Sequence, residues 1–399
     1  MSLGRRLLPL QVGIGLQGFM LWVPVEKLFQ TGIGFDAASI GLMAAAYAAV
    51  VPLFEVPSGV LADRWSRSGL LILACLALSA SSLIGGLSTG VGLYVLAAMV
   101  LGIYFAASSG TVDSIVYDVV VEETGSAAGY ERWIGRVNLV ESAALATSAI
   151  AGGLLAGWTS PRVTYFVSVP FGLLAVVALL RFREPRLHRL AAPVPLHTHL
   201  GTTLRAMVSQ PAARHAMLLV ALAALLSQTL FEFGPLWLVA AHAPAAAFGP
   251  YWAGLVATIG VGGLLAARLR PDHRPTLHGL AGLLALLPLG LIGDRPLLVV
   301  VAAQTGLATL LAVVGIHAGR LLHDAVASSV RAGVSSGAGT LSWLLFLPFS
   351  IGFGQVTQHA GVGTSAWLVA AVVLILAALL TRPPAPVATE RELLTSSAG

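Results

Sequence analysis

Charge is scarce in this chain. Of 399 residues, 10% are Asp, Glu, Lys or Arg, and 57% are hydrophobic. A soluble protein of that length needs far more charge to cover its surface, whereas lipid covers a polytopic membrane protein without it. Lysine is almost absent: Lys27 is the only one beside 21 arginines. No G-x-x-x-x-G-K-[ST] sequence surrounds it, so the chain carries no ATPase site of its own. Cysteine is confined to Cys75, which excludes an internal disulfide and a Cys-based metal site. His188, His197 and His199 lie in a polar stretch with no nearby Cys and few acids; they read as solvated linker residues, and no metal or cofactor is expected. Glycine pairs such as Gly13 and Gly15 fall inside an apolar run, which removes dinucleotide binding. The formal charge of +5 would suggest nucleic acid in a soluble chain; here it reflects arginines in loops, and no nucleic-acid partner is expected.

What is present is a series of long apolar runs, with a mean hydropathy of +0.88. A bilayer core of roughly 30 Å needs about 20 apolar residues as a helix. Twelve spans satisfy this: 7–28, 37–58, 69–88, 91–117, 133–157, 161–181, 212–239, 246–267, 276–293, 296–319, 327–354 and 362–381. Backbone polar groups in lipid must be satisfied within the segment, so runs this long imply helices. Arg5-Arg6 followed by apolar residues imitates a signal peptide. No small-residue cleavage site closes the run, and it reads as a first transmembrane helix that stays.

Orientation follows from the basic residues. With the N-terminus inside, the inner segments hold 19 of the 22; only Lys27, Arg162 and Arg295 lie outside. Both termini are thus expected in the cytoplasm, in a multi-pass cell-membrane (inner-membrane) protein. The longest interruption, 183–211, carries Arg183, Glu184, Arg186, Arg189 and several prolines. It divides the chain into a six-helix bundle at 1–182 and another at 212–382, with a polar tail at 383–399. The halves echo each other. Gly263 to Arg268 repeats Gly59 to Arg64, with Ala267 where Asp63 stands. Asp118 and Asp324 end matching runs, and Trp22-Val-Pro24 is loosely matched by Phe233-Gly-Pro235. A duplicated six-helix unit is the arrangement of many secondary transporters.

Residues 59–67, Gly-Val-Leu-Ala-Asp-Arg-Trp-Ser-Arg, resemble the loop 2–3 signature of the major facilitator superfamily, G-x-L-A-D-R-x-G-R. Ser66 replaces the usual glycine, and Ser68 the usual basic residue that follows. The resemblance implies an all-α fold of twelve transmembrane helices in two pseudo-symmetric bundles, with no enzymatic activity. It also implies a cytoplasmic gate. Gly59 would permit close helix approach, and Asp63 would face the N-terminus of helix eleven near Ala327. Arg67 would reach Asp118 at the inner end of helix four, with Arg64 beside them. The alternative is that Arg64 and Arg67 are topology anchors alone.

Ser109 to Asp118 resembles the S-G-x-x-E-x-x-x-Y-D segment of drug-efflux-like members, with Asp113 at the acidic position. Asp113 and Asp118 are five apart and so lie on different helix faces. The arginine that many proton antiporters carry in helix four is absent. In helix five, Asn138 and Glu141 are three apart and share a face. Glu141 lies roughly 13 Å beyond Arg132 along the helix. A carboxylate at that depth costs several kcal/mol unless it is protonated, paired or hydrated. It is a candidate for proton coupling or substrate contact; the alternative is a structural residue tied through Arg136. In helix seven, Glu232 precedes Pro235, whose missing N–H suits a gating bend. Glu232 would contact a cationic substrate group or sit hydrated near the external mouth. Gln17 and Gln304 are further cavity candidates, while Glu26 and Lys27 cap the outer end of helix one. Of the antiporter signature G-x-x-x-G-P-x-x-G-G, Gly152-Gly153 fit the end, and Ser148-Ala149 replace Gly-Pro.

These readings converge on a monomeric secondary transporter working by alternating access, with a cavity between the halves. Its partners are the bilayer, a small-molecule substrate and protons. The preferred activity is proton-driven efflux of a small amphipathic molecule, a drug or secondary metabolite. The alternatives are an uptake symporter, a facilitator or a lipid flippase of the same fold.

Overall fold

A computed structural model describes residues 3–64, 66–108, 111–126, 129–185, 210–269, 273–326 and 331–382, with the side chains of 55–64, 131 and 331–333 not described. Among these residues every regular element is helical. The helices are α1 (Leu3–Gln17), α2 (Glu26–Gly32), α3 (Ala37–Arg64), α4 (Arg67–Leu87), α5 (Val91–Ser108), α6 (Thr111–Thr124), α7 (Tyr130–Trp158) and α8 (Pro161–Leu180). After the linker come α9 (Pro211–Phe233), α10 (Pro235–Ala240), α11 (Ala245–Arg268), α12 (Arg274–Leu286), α13 (Leu297–Asp324), α14 (Arg331–Ala360) and α15 (Val362–Leu380). Ten stretches of the described chain are long and apolar enough to cross a membrane. The first and ninth expected spans fall short because α1 and α12 have only 15 and 13 residues. The ninth is continued directly by a 3-10 turn at Leu287–Gly290, and the first resumes after residues 18–22 with a 3-10 turn at Val23–Val25 and α2; the fold is that of twelve membrane segments.

Packing divides the chain into two compact units. One comprises Met1–Ala192 with Leu238–Ala257, the other Pro193–Trp237 with Thr258–Gly399. In the first, α1, α4, α6, α7 and α8 meet around Leu7, Leu10, Ile14, Ile115, Val119 and Leu179, all buried. In the second, the alanines at 213 and 216 of α9 pack against Leu322 of α13 and Val334 and Ala338 of α14. Apolar side chains also cover the outer surface: Trp158 is 79% exposed and Leu298 80%. In water such a surface would be a liability; against lipid it is the expected one.

The segment 238–257 joins the first unit because glycine lets backbones touch. A Cβ on Gly153 of α7 would stand 2.7 Å from the Gly249 nitrogen of α11, and one on Gly249 would stand 2.6 Å from the Ala149 carbonyl oxygen. Small residues at membrane helix contacts allow this approach, and with it the dispersion contacts that stand in for the hydrophobic effect in lipid.

Three sequence expectations are corrected by the backbone. The first span is not one helix: α1 stops at Gln17 and α2 starts at Glu26. The signature at 59–67 is mostly not a loop, since α3 runs on to Arg64 and α4 begins at Arg67. Glu26 and Lys27 are more than a cap. Lys27 is 1% exposed, and its Nζ lies 3.1 Å from Glu26 Oε2. Glu26 Oε1 accepts from Gln30 Nε2 at 3.1 Å and from the Tyr94 hydroxyl at 2.8 Å. The histidines at 188, 197 and 199 and the tail at 383–399 lie outside the described residues.

Candidate functional site

The turn between α3 and α4 gathers side chains from α4, from α6 and from the stretch after α8. Ser66 is the N-cap of α4, its hydroxyl accepting the Gly69 N–H at 2.8 Å. Without such a cap the first N–H groups of a helix lack partners. The remaining donors meet Glu184, four residues past the end of α8. Its carboxylate accepts the Arg67 N–H at 2.5 Å, the Ser66 hydroxyl at 2.6 Å, the Ser68 hydroxyl at 3.2 Å and the Ser68 N–H at 3.3 Å. A carboxylate at a helix N-terminus is favoured by both the free N–H groups and the helix dipole. The two departures from the resembled signature, Ser66 and Ser68, are therefore the residues whose hydroxyls hold Glu184.

Arg67 Nη1 donates to Asp118 Oδ2 at 2.8 Å, joining α4 to α6, and both side chains are largely buried. One turn further along α6, Glu122 and Glu123 receive Arg6 of α1 at 3.0 and 2.6 Å. The ends of α1, α4 and α6 and the stretch after α8 are thus connected by charge-assisted hydrogen bonds, about twice as strong as neutral ones. The Glu184 and Arg6 links were not foreseen from sequence. The signals were present: a lone acid directly after helix six, and a Glu pair one turn beyond Asp118. Gly59, Asp63 and Arg64 lie on the last turns of α3; their side chains, and residue Ala327 named with them in the sequence, are outside what is described.

Deeper in the same unit, Asp113 and Asn138 are exposed and Glu141 is half-buried. The Tyr130 hydroxyl donates to Asp113 Oδ1 at 3.3 Å, and the Tyr130 ring meets Tyr117 edge-on at 5.5 Å between centroids. Asp113 is near enough to act on Glu141 electrostatically. Arg136 lies over the Trp133 ring at 4.6 Å, and is not the partner of Glu141. Gly18, just past α1, packs on this part of α7: a Cβ there would be 2.9 Å from Ala144 Cβ and 3.5 Å from the Glu141 carbonyl oxygen.

Two cavity candidates are placed elsewhere. Gln17 is 3% exposed, and its Oε1 faces Cys75 Sγ of α4 at 3.4 Å. Gln304 of α13 is fully buried and donates to the Gly234 carbonyl at 3.4 Å, at the junction of α9 and α10. Glu232, two residues before that junction, is half-buried.

Two units of membrane-length helices with half-buried carboxylates within them are features of a secondary transporter. The chain belongs to the Major Facilitator Superfamily, whose family model matches residues 7–346. Like other members it is a transporter and not an enzyme. It is 28% identical over 169 residues to Multidrug resistance protein 2 of Bacillus subtilis (strain 168), covering 41% of this chain and 40% of that protein. Multidrug resistance protein 1 of the same organism is 25% identical over 177 residues, 43% of each. The match thus spans about two-fifths of those relatives. Among solved structures, the nucleoside transporter NupG has a TM-score of 0.73 at 14% identity, covering 95% of this chain and 98% of that one. The xylose transporter XylE from E. coli, in an inward-open conformation, has 0.74 at 12% identity, covering 99% and 100%. At such identities the likeness shows the fold alone.

Proposed function

We propose that this chain is a proton-coupled exporter of a small amphipathic molecule, a drug or secondary metabolite, working by alternating access. The observation that carries the reading is Glu141, a half-buried carboxylate on a membrane helix with Asp113 of α6 in electrostatic reach and Arg136 turned to the Trp133 ring instead. An ionised carboxylate at the centre of a membrane helix costs about 2.5–3.5 kcal/mol on insertion scales. Two nearby repel each other, so one proton or one cationic substrate group relieves the site. Proton and cargo then compete for the same charge, which is the linkage exchange requires.

Export is supported by two further points. The Gly152-Gly153 end of the antiporter signature makes backbone contact: Gly153 meets Gly249, and a Cβ on Gly152 would run into the Leu21 carbonyl. The partial relatives carry multidrug-resistance names. The competing reading, uptake by proton symport, draws on a fold shared with a D-xylose-proton symporter. On the orientation expected from the arginines, the linked ends of α1, α4 and α6 and Glu184 face the cytoplasm and form the first-unit part of a gate, with Gly59, Asp63 and Arg64 adjoining.

The test is transport in inverted and right-side-out vesicles under an imposed pH gradient, with a panel of amphipathic fluorescent compounds. Accumulation in acid-loaded inverted vesicles is expected. Glu141→Gln should keep the fold and abolish gradient-driven movement. Undiminished transport in that variant would sink the Glu141 role, and accumulation only in right-side-out vesicles would overturn export.

A further inference from the structure

An aromatic corner lies between α6 and the start of α7. Gly125 follows α6 at φ +73° and Gly129 caps α7 at φ +93°. Glycine adopts such angles without a steric penalty. The chain can therefore turn back and set Tyr130, the first residue of α7, beside α6. The Tyr130 ring meets the Tyr117 ring edge-on, with 5.5 Å between centroids and 72° between planes. The Tyr130 hydroxyl donates to Asp113 Oδ1 at 3.3 Å. Asp113 and Tyr117 are one helical turn apart on α6 and share a face. One carboxylate and two rings thus meet at one place in the first unit.

The chemistry of this corner suits a cation. Among the described residues Asp113 has the Tyr130 hydroxyl as a hydrogen-bond partner and no ion pair. The arginines that follow Tyr130 point elsewhere. A helical step of about 100° per residue puts Tyr130, Val137 and Glu141 on one face of α7, and Arg132 and Arg136 on the opposite one. Arg136 lies over the Trp133 ring. Asp113 is exposed, and so is Tyr117 at 46%. A carboxylate left exposed on a membrane segment faces water and not lipid, so the corner opens to an aqueous space. Ring faces attract cations through their quadrupole, and an edge-on pair leaves ring faces free. An anion gains from none of these groups; a cation gains from all three.

Position links the corner to Glu141. Tyr130 and Glu141 are eleven residues apart on the shared face of α7, about 16 Å along its axis. Asp113 hydrogen-bonds to the first and is in electrostatic reach of the second.

We propose that Asp113, Tyr117 and Tyr130 form an entry subsite for an organic cation, a quaternary or protonated group bearing apolar substituents, separate from Glu141 and one step before it. The subsite deepens the export reading and rests on it for the cargo's route, inner end first. A cation arriving there passes from a water-facing carboxylate to a half-buried one and has a counter-charge at both stops.

The test is equilibrium binding of radiolabelled tetraphenylphosphonium to the full chain in nanodiscs, with no pH gradient. Tetraphenylborate, of the same shape and opposite charge, is the comparison. Asp113→Asn should raise the Kd for the cation about tenfold or more and leave tetraphenylborate binding no weaker. Tyr117→Leu and Tyr130→Leu should each raise it about two- to fivefold, while Tyr117→Phe, which keeps the ring, should restore the parental value. The same ratios are expected in a Glu141→Gln background, because the subsite is separate from that residue. Unchanged cation binding in Asp113→Asn overturns the proposal, as does Tyr117→Phe binding as weakly as Tyr117→Leu. A parental chain with no saturable tetraphenylphosphonium binding above protein-free nanodiscs overturns it too. Asp113 and Tyr117 are exposed, so their variants should keep the fold, read as an unchanged unfolding midpoint; they decide the outcome should Tyr130→Leu fail to accumulate. Export fails separately: the expected binding ratios with accumulation only in right-side-out vesicles would overturn export and leave the subsite standing.

Discussion

Ser66 donates its hydroxyl proton to the Glu184 carboxylate at 2.6 Å while accepting the Gly69 N–H at 2.8 Å. One residue thereby caps α4 and ties it to the chain leaving α8. Ser66→Ala removes both contacts and should lower stability by about 1 kcal/mol, the usual worth of an N-cap. Glu184→Ala should lower it comparably, and the double variant by less than the sum, because the two share one interaction. Thermal unfolding of the detergent-solubilised protein measures this; full additivity would show that the contact carries no coupling.

Arg67 and Asp118 provide a second cycle. Their side chains are only 16% and 15% exposed, so screening is limited and a coupling energy of about 0.5–3 kcal/mol is expected. Arg67→Ala and Asp118→Asn should each slow transport, and the pair together should be no worse than the more severe single change. Transport left at the parental rate by both single variants would reduce the pair to a topology anchor.

The buried pair of Glu26 and Lys27 should behave asymmetrically. Lys27→Met leaves a carboxylate behind that has lost its ion-pair partner, with the Tyr94 hydroxyl and the Gln30 amide still donating to it. Removing one partner of a buried ion pair costs about 3–5 kcal/mol, whereas replacing both is far milder. The Glu26→Gln, Lys27→Met double variant should therefore be more stable than Lys27→Met alone, as read by unfolding midpoints. The reverse order would contradict a buried pair.

Asp36 heads α3 with a reciprocal cap: its Oδ1 accepts the Ser39 N–H at 2.8 Å and the Ser39 hydroxyl at 2.6 Å, while its own N–H meets Ser39 Oγ at 2.9 Å. The Ser39 hydroxyl, and then its N–H, hold the Asp36 carboxyl below its ordinary value. A folded-state value lower than the unfolded one, about 3.9, means the contribution is fully present above that pH. It is lost as pH falls through the folded value. Asp36→Asn should thus lower stability at neutral pH and leave it nearly unchanged at the acid end. An equal loss at both ends of the titration would show that the charge plays no part.

Much of the architecture was legible in the residues themselves. Apolar runs of membrane length permit only helices, and the arginine distribution assigns an expected side to every loop. The echoes at Arg64 and Arg268 mark real helix ends, since α3 and α11 both stop there. The echo at Pro24 and Pro235 marks an unwound stretch at 18–22 in the first case and a proline in a segment that stays helical through Gly234 in the second. Asp113 and Asp118, separated by their five-residue spacing, do turn to different partners, Tyr130 and Arg67.

Tertiary structure decided what linear spacing does not encode: which distant group each polar side chain meets. Gln17 and Gln304 look like cavity residues in an apolar helix, yet both are buried in helix contacts, because an amide in lipid is satisfied wherever a neighbouring helix offers a partner. Glu184 sits 116 to 118 residues from the serines and arginine that hold it. Periodicity and hydropathy determined that this chain is a bundle of membrane helices, because burial in lipid is a local constraint. The pairing of charges and the fastening of the unwound stretch at 18–22 depend on contacts between segments far apart in sequence, and only the folded backbone fixes those.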